Sequence, residues 1–392
     1  MRLMQSRVAC GALVCVASFV LAGCGATAAR STNSGQATSA GLQKYSLTLT
    51  PQANTPLGIP MEIHFTSQKQ GWAISGGSPS TVGYIAYSDN GGSSWLKYGF
   101  PGVTFTVINS TNSQSATAIG NENKSFFMAT TVNGGKSWEI TLDPHPPFDA
   151  PYLKKAYPFD NGWLVLSSSG RLWQYKGKRW QAIATPKHAI VKTWVVHSSI
   201  IYAVLGQDRL ASTSDRGRTW HTLVDTHGSQ TITAFTTHGT NEWVLEQAAQ
   251  SNQTTNTLLF SSNQGKTFTQ IYTATLPSTL AWNRVDMVNV SDGWAVGGSC
   301  SDVIGNCATT LYRTTNGGRT WKRVSLPSVD YHYPNPKVSP VQLTGFQSSG
   351  FFTSTNTMIS FGYLPPNVIS PTIFSTSDGG QQWIPERTGK QK

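Results

Sequence analysis

From residue 61 onward the chain alternates short apolar runs with clusters of Gly, Asn, Asp and Ser. MEIHFTS at 61–67 is followed by QGWAISGG at 70–77, then by TVGYIAYS at 81–88, a DNGG turn at 89–92 and SSWLKYGF at 93–100. The pairing of an apolar run with a Gly-Trp run returns as VDMVNVS and DGWAVGG at 285–298, with relatives NGWLVL at 161–166 and NEWVLE at 241–246. Aromatic and β-branched runs punctuated by turn residues predict strands joined by hairpins, and no stretch sustains a helical period.

The turn itself is repeated. Ser or Thr, then Asp or Asn two residues on, Gly two further and an aromatic three further end at Trp95, Trp138, Trp220, Phe268, Trp321 and Trp383, and a worn copy, WQYKGKRW, ends at Trp180. The side chains of Asn90, Asn133, Asp215, Asn263, Asn316 and Asp378 can fold back onto backbone N–H groups, and a glycine such as Gly318 can take the positive φ that closes the hairpin. The final aromatic drops its ring between adjacent sheets. Asn at four of these six positions argues against a required charge, so the turn reads as a structural staple. Four antiparallel strands repeated seven times predict an all-β, seven-bladed β-propeller. An array of this kind also accounts for 392 residues without a split into two or three cores, because each unit packs on its neighbours.

These turns resemble the Asp-box, or bacterial neuraminidase, repeat. Together with the Gly-Trp strand, as in Phe65 to Trp95 and Val290 to Trp321, they are similar to the photosystem II stability/assembly factor-like family of seven-bladed propellers. The resemblance covers roughly residues 59–387 and implies the fold and an assembly-factor-like role.

The N-terminus carries Arg2 and Arg7, an apolar run from Val8 to Ala22, and Gly23-Cys24. The run is too short to span a bilayer and fits a signal-peptide core. Leu21-Ala22-Gly23-Cys24 resembles a bacterial lipobox, which implies cleavage before Cys24 and lipidation of its thiol. The expected organisation is a signal peptide at 1–23, a lipidated Cys and flexible tether at 24–44, and a propeller at 45–392, anchored outside the cytoplasm to the cell membrane. Cys10 and Cys15 leave with the signal, so Cys300 and Cys307 remain for an expected disulfide.

Charge is concentrated in one place. The formal +11 becomes +9 in the mature chain after loss of two arginines, and residues 154–192 alone carry eight cations against one acid, +8 − 1 = +7. Lys154, Lys155, Arg171 and Lys187 form a candidate basic patch for an anionic partner. Lys176, Lys178 and Arg179 are expected on the opposite face.

A sialidase needs an arginine triad, but Arg is absent from 31 to 170, and outside turns and sheet edges Arg284 and Arg313 are the inward candidates. A glycoside hydrolase needs two carboxylates; Asp149, Asp160, Asp286 and Asp330 are candidates among only 18 acids. No nucleophile triad, phosphate loop or zinc spacing is present in the sequence. The favoured reading is a non-enzymatic binding or assembly platform, with a carbohydrate-active enzyme as the alternative. A monomer without cofactor or metal is expected, with a protein or envelope polymer, not nucleic acid, as partner. The long loops gather His145, Phe148, Tyr152, Tyr331, His332 and Tyr333 into a candidate aromatic rim.

Overall fold

The computed structural model describes residues 29–30, 42–53, 60–67, 69–75, 82–92, 94–148, 153–160, 162–186, 189–197, 199–300, 307–326, 346–351, 357–361 and 373–386. It is a β-propeller. Among the described residues, seven antiparallel sheets each contain four strands consecutive in sequence. We number them as blades 1 to 7, with innermost strands Pro60–Phe65, Val103–Ser110, Leu153–Phe159, Val191–His197, Thr231–His238, Trp282–Met287 and Phe346–Phe351. The ring closes, because the innermost strand of blade 7 packs on that of blade 1.

Backbone bonds fix two faces. The loop between the first and second strands meets the recurring turn of the same blade, as in Gly91 N–H to Lys69 O at 2.8 Å and Gly134 N–H to Gln114 O at 2.9 Å. On the other side, blade-to-blade links meet the loops between second and third strands, as in Thr226 N–H to Asp208 O and Ser278 N–H to Asn252 O, both 2.9 Å. We call these the turn face and the link face.

Six turns share one hydrogen-bond pattern. In blade 2 the Thr131 hydroxyl donates to Asn133 Oδ1 at 3.0 Å and accepts the Gly135 N–H at 2.9 Å, while Asn133 Oδ1 also accepts the Ser137 N–H at 3.0 Å. Ser88, Thr213, Ser261, Thr314 and Thr376 repeat the role of Thr131. Asn90, Asp215, Asn263, Asn316 and Asp378 repeat that of Asn133. In the worn copy, Lys176 pairs with Arg179 across a two-residue turn in which Gly177 and Lys178 have φ of 57° and 66°. Two consecutive positive φ values match the handed twist of a tight hairpin, so no side-chain clamp is needed there.

In blades 2 to 7 the aromatic that follows the turn packs toward the preceding blade, whereas Trp95 of blade 1 packs on Phe65 of its own blade. Trp138 sits at 0% exposure against Trp72, Tyr98 and Phe100 of blade 1, Trp180 packs on Phe126 of blade 2, and Phe268 joins a cluster with Tyr202 and Val204 of blade 4. The indole N–H groups of Trp220 and Trp383 reach back to Ala184 O and Ser325 O at 2.7 and 2.8 Å. The turn glycine approaches the same neighbour: a Cβ on Gly135 would stand 2.4 Å from the Tyr98 ring.

The N-terminal region differs from expectation. Strand Gln43–Thr48 adds to the outer strand of blade 2, Trp138–Asp143, and Ala29–Arg30 pairs with Leu47 and Thr48 in turn. Part of the expected tether is thus a sheet edge, because an outer strand presents unpaired N–H and C=O groups that any extended segment can meet. Among the described residues no helix is long and apolar enough to cross a membrane.

Gly135→Ala should destabilise by several kcal/mol, since it adds a clash to the strain of φ +83°. Gly102→Ala, at φ +77° with open space around the new methyl, should cost only about 1 kcal/mol. Urea denaturation of the two variants checks this; equal losses would mean that blade-to-blade approach at the turn is not what selects glycine.

Candidate functional site

All seven innermost strands carry the same irregularity. Pairing with the second strand slips by one residue between Pro60 and Glu62, Phe105 and Val107, Leu153 and Lys155, Val191 and Thr193, Ile232 and Ala234, Trp282 and Arg284, and Phe346 and Ser348. A β-bulge bends the strand and re-aims the side chains beside it. Glu62, Lys155 and Arg284 therefore occupy the equivalent position in blades 1, 3 and 6, each the third residue from the link-face end of its strand. Tyr157 and Asp286 lie two residues further on.

These blades are not adjacent, yet their charges act on one another. Burial pushes the Glu62 carboxyl up to about 7, opposed by the Ile108 N–H and by Lys155 and Arg284. Burial and Arg284 push the Lys155 ammonium down, while Asp286 and Glu62 hold it up. Burial, then the charges of Glu62 and Asp286, raise the Tyr157 phenol. Groups on blades 1, 3 and 6 meet in this way in the space around the axis, so the cluster lines the axial channel. Arg284 Nε pairs with Asp286 Oδ2 at 2.5 Å, and Lys155 Nζ stands 5.8 Å from the centre of the Tyr157 ring.

Blade 1 is also tied to blade 2 here. Glu62 Oε2 accepts the Ile108 N–H at 2.7 Å, and His64 Nδ1 accepts the Ser110 N–H at 3.2 Å with the Ser110 hydroxyl at 2.7 Å. An accepting Nδ1 is unprotonated there, in keeping with burial lowering the His64 pKa.

The sequence-derived site residues are dispersed. His145 is exposed, with its N–H on Asp143 Oδ1 at 3.0 Å. Phe148 is only 9% exposed and packs on Trp180 and Phe126, so it fastens its loop to the blade instead of facing a partner. Tyr152, Tyr331, His332, Tyr333, Lys187, Asp149, Asp330 and Cys24 lie outside the described residues. Lys154 and Arg171 are exposed, whereas Lys155 belongs to the channel. Cys300 and Cys307 are direct cross-strand partners in one hairpin. Asp160 is paired with Lys176 at 3.0 Å and with Arg216. Among the described residues no group of His, Cys, Asp and Glu is placed to hold a metal.

Comparison with known proteins agrees with the architecture. No sequence family profile matches the chain, and no curated protein sequence matches it. Among solved structures, YCF48 bound to a D1 peptide superposes with a TM-score of 0.52 at 16% identity, over 86% of this chain and 96% of that one. YCF48 from Cyanidioschyzon merolae gives 0.50 at 17% identity, over 84% and 97%. A GH74 xyloglucanase from Xanthomonas campestris gives 0.58 at 12% identity, over 86% of this chain but 56% of the enzyme. The class is thus a β-propeller. In extent it resembles YCF48 along nearly the whole of that protein and spans just over half of the xyloglucanase.

Between about pH 4.5 and 7 folded Glu62 keeps a proton that the unfolded chain has released, so stability falls as pH rises through this window. Glu62→Gln removes the ionisation and can still accept the Ile108 N–H. The variant's melting temperature, measured by calorimetry, should gain on the wild type as pH rises from 4 to 8, with the difference levelling off above 7. A difference independent of pH would show that the carboxyl is not held as described.

Proposed function

We propose that this protein is a membrane-tethered, extracytoplasmic propeller that binds a segment of a partner protein at the link-face mouth of its channel and catalyses no reaction. The observation that carries this reading is the ring of Glu62, Lys155 and Arg284 backed by Tyr157 and Asp286. Both carboxylates have cationic neighbours, an arrangement suited to holding polar groups of a peptide at fixed positions. Lys154 and Arg171 add positive charge on the same face and favour an acidic segment. YCF48, which superposes along nearly its whole length, has been solved with a D1 peptide bound, and supports a protein partner for the shared architecture. The lipobox-like Leu21 to Cys24 supports the tether, and the cross-strand placement of Cys300 and Cys307 supports a disulfide, as expected for an exported chain.

One observation favours the alternative. An acid with pKa near 7 in a channel whose lining also includes the carboxylate of Asp286 is part of the equipment of a glycosidase, and the xyloglucanase shares the fold. Crosslinking on intact cells separates the two. Captured partner should be lost on Lys155→Glu and Arg284→Glu and kept on Lys322→Glu, on the outer strand of blade 6. Turnover in a glycan-hydrolysis screen that disappears with Glu62→Gln or Asp286→Asn would overturn the non-enzymatic reading. Cys24→Ala should move the protein from the membrane to the soluble fraction; unchanged sedimentation with membranes would overturn the lipid anchor.

A further inference from the structure

A groove of about 650 Å³ runs between the strand added to blade 2 and the turn face of blade 3. Its cations are Lys44, from the added strand, and Lys176 and Lys178, from the tight hairpin of blade 3. Met128, Phe159 and Trp163 form much of its apolar wall. Asp160 is the acid at this groove and is already committed to Lys176 and Arg216; the hydrogen bond from Lys176, and then the charge of Arg216, hold its carboxyl below the usual range. Lys44 and Lys178 are exposed, and among the described residues neither has an ion-pair partner. The lining carries three cations and one acid, 3 − 1 = +2.

We infer that this groove receives the headgroup of an anionic phospholipid, so that blade 3 rests on the membrane by its turn face. Three features converge on a lipid surface. The unpaired ammonium groups suit a phosphate, each worth about 1 kcal/mol beside an anionic bilayer. The apolar wall suits the glycerol and upper acyl region that accompany that phosphate. The segment arriving from Cys24 joins the propeller on the strand that carries Lys44: Ala29, 29 − 24 = 5 residues from the cysteine, pairs with Thr48 of that strand, so even a fully extended link spans at most roughly 17 Å. An anchor so placed keeps Lys44 and the blade 3 hairpin close to headgroups and raises their local concentration. The inference rests on the tethered reading and adds to it the orientation of the disc: the turn face down, with the link-face mouth of the channel directed away from the bilayer.

The test uses the mature chain from residue 24 carrying Cys24→Ser, so that neither the apolar run Val8–Ala22 nor acyl chains contribute, in flotation with vesicles of phosphatidylcholine alone or mixed with phosphatidylglycerol. Binding is expected to the mixed vesicles. Lys44→Gln with Lys178→Asn, the latter because asparagine tolerates the φ of 66°, should weaken it about tenfold or more. Lys322→Gln with Arg323→Gln should leave it unchanged, and melting curves of both double variants check that the fold is intact. Equal binding to neutral vesicles, or no loss in the Lys44/Lys178 variant, overturns the inference. Displacement by millimolar inorganic phosphate that also binds the protein alone overturns it in favour of a soluble phosphate ligand. Failure here leaves the anchor itself standing, because fractionation of Cys24→Ala tests that separately.

Discussion

The fold depends on a buried hydroxyl. In six of the seven blades a Ser or Thr at the end of the third strand, between 1% and 4% exposed, takes the glycine N–H four residues on and gives its own proton to an Asn or Asp. That side chain in turn takes the N–H two residues past the glycine. Three polar groups that burial would otherwise leave costly are thereby satisfied within one turn. The consequence reaches well beyond the turn. Fixing this corner sets where the next aromatic emerges, and outside blade 1 that aromatic is what fills the wedge against the preceding blade. Angular spacing in the ring is therefore written in local hydrogen bonds, and an array with a weak long-range code can still close.

Blade 3 shows what happens when the clamp is dropped. Its hairpin keeps only glycine and the final tryptophan, but two successive positive-φ residues give the same reversal by backbone conformation alone. Trp180 still packs on Phe126 and Phe148, and its N–H is held by Asp143 Oδ2 at 2.8 Å. The loop that reads as an exposed aromatic rim is thus in part the means by which a blade with a degenerate turn is tied down. The hairpin surface carries Lys176, Lys178 and Arg179, three of the eight cations between residues 154 and 192.

The repeating architecture was legible in the sequence because its determinants are local: the Gly-Trp strand, the hydroxyl–Asx–Gly spacing and the aromatic after it all recur within ten or so residues of each other. Both faces follow from strand order alone. The channel cluster was legible only in part: the sequence marks Arg284 as an inward arginine and Asp286 as a candidate carboxylate, but it does not connect them with Glu62, Lys155 and Tyr157. Glu62, Lys155 and Arg284 come from unlike stretches, PMEIHF, LKKAYPF and WNRVDM, and nothing local marks them as equivalent. Their common level is set by a one-residue slip in pairing, and a slip shows only when both strands are in register. Lys155 illustrates the cost: composition assigns it to a surface patch with Lys154, whereas alternation along a bulged strand sends the two neighbours to different surroundings. The strand Gln43–Thr48 was missed for a related reason, since a fifth strand is defined by the edge it joins and has no partner nearby in sequence.

The two proposed sites lie on opposite faces of the propeller and differ in kind. The channel ring lies at the third residue from the link-face end of its strands and contains both signs of charge in a confined space, where Lys155 and Arg284 bear on Glu62, and Glu62, Asp286 and Arg284 bear on Lys155 and Tyr157. The groove on blade 3 is open, carries a surplus of positive charge and has its acid already neutralised. Low-dielectric, paired charge gives orientation and specificity, while exposed, unpaired charge gives attraction to an extended anionic surface and responds to salt. A disc with the second kind on one face and the first kind on the other fits the proposed orientation, in which one face meets an anionic surface and the other presents a selective opening.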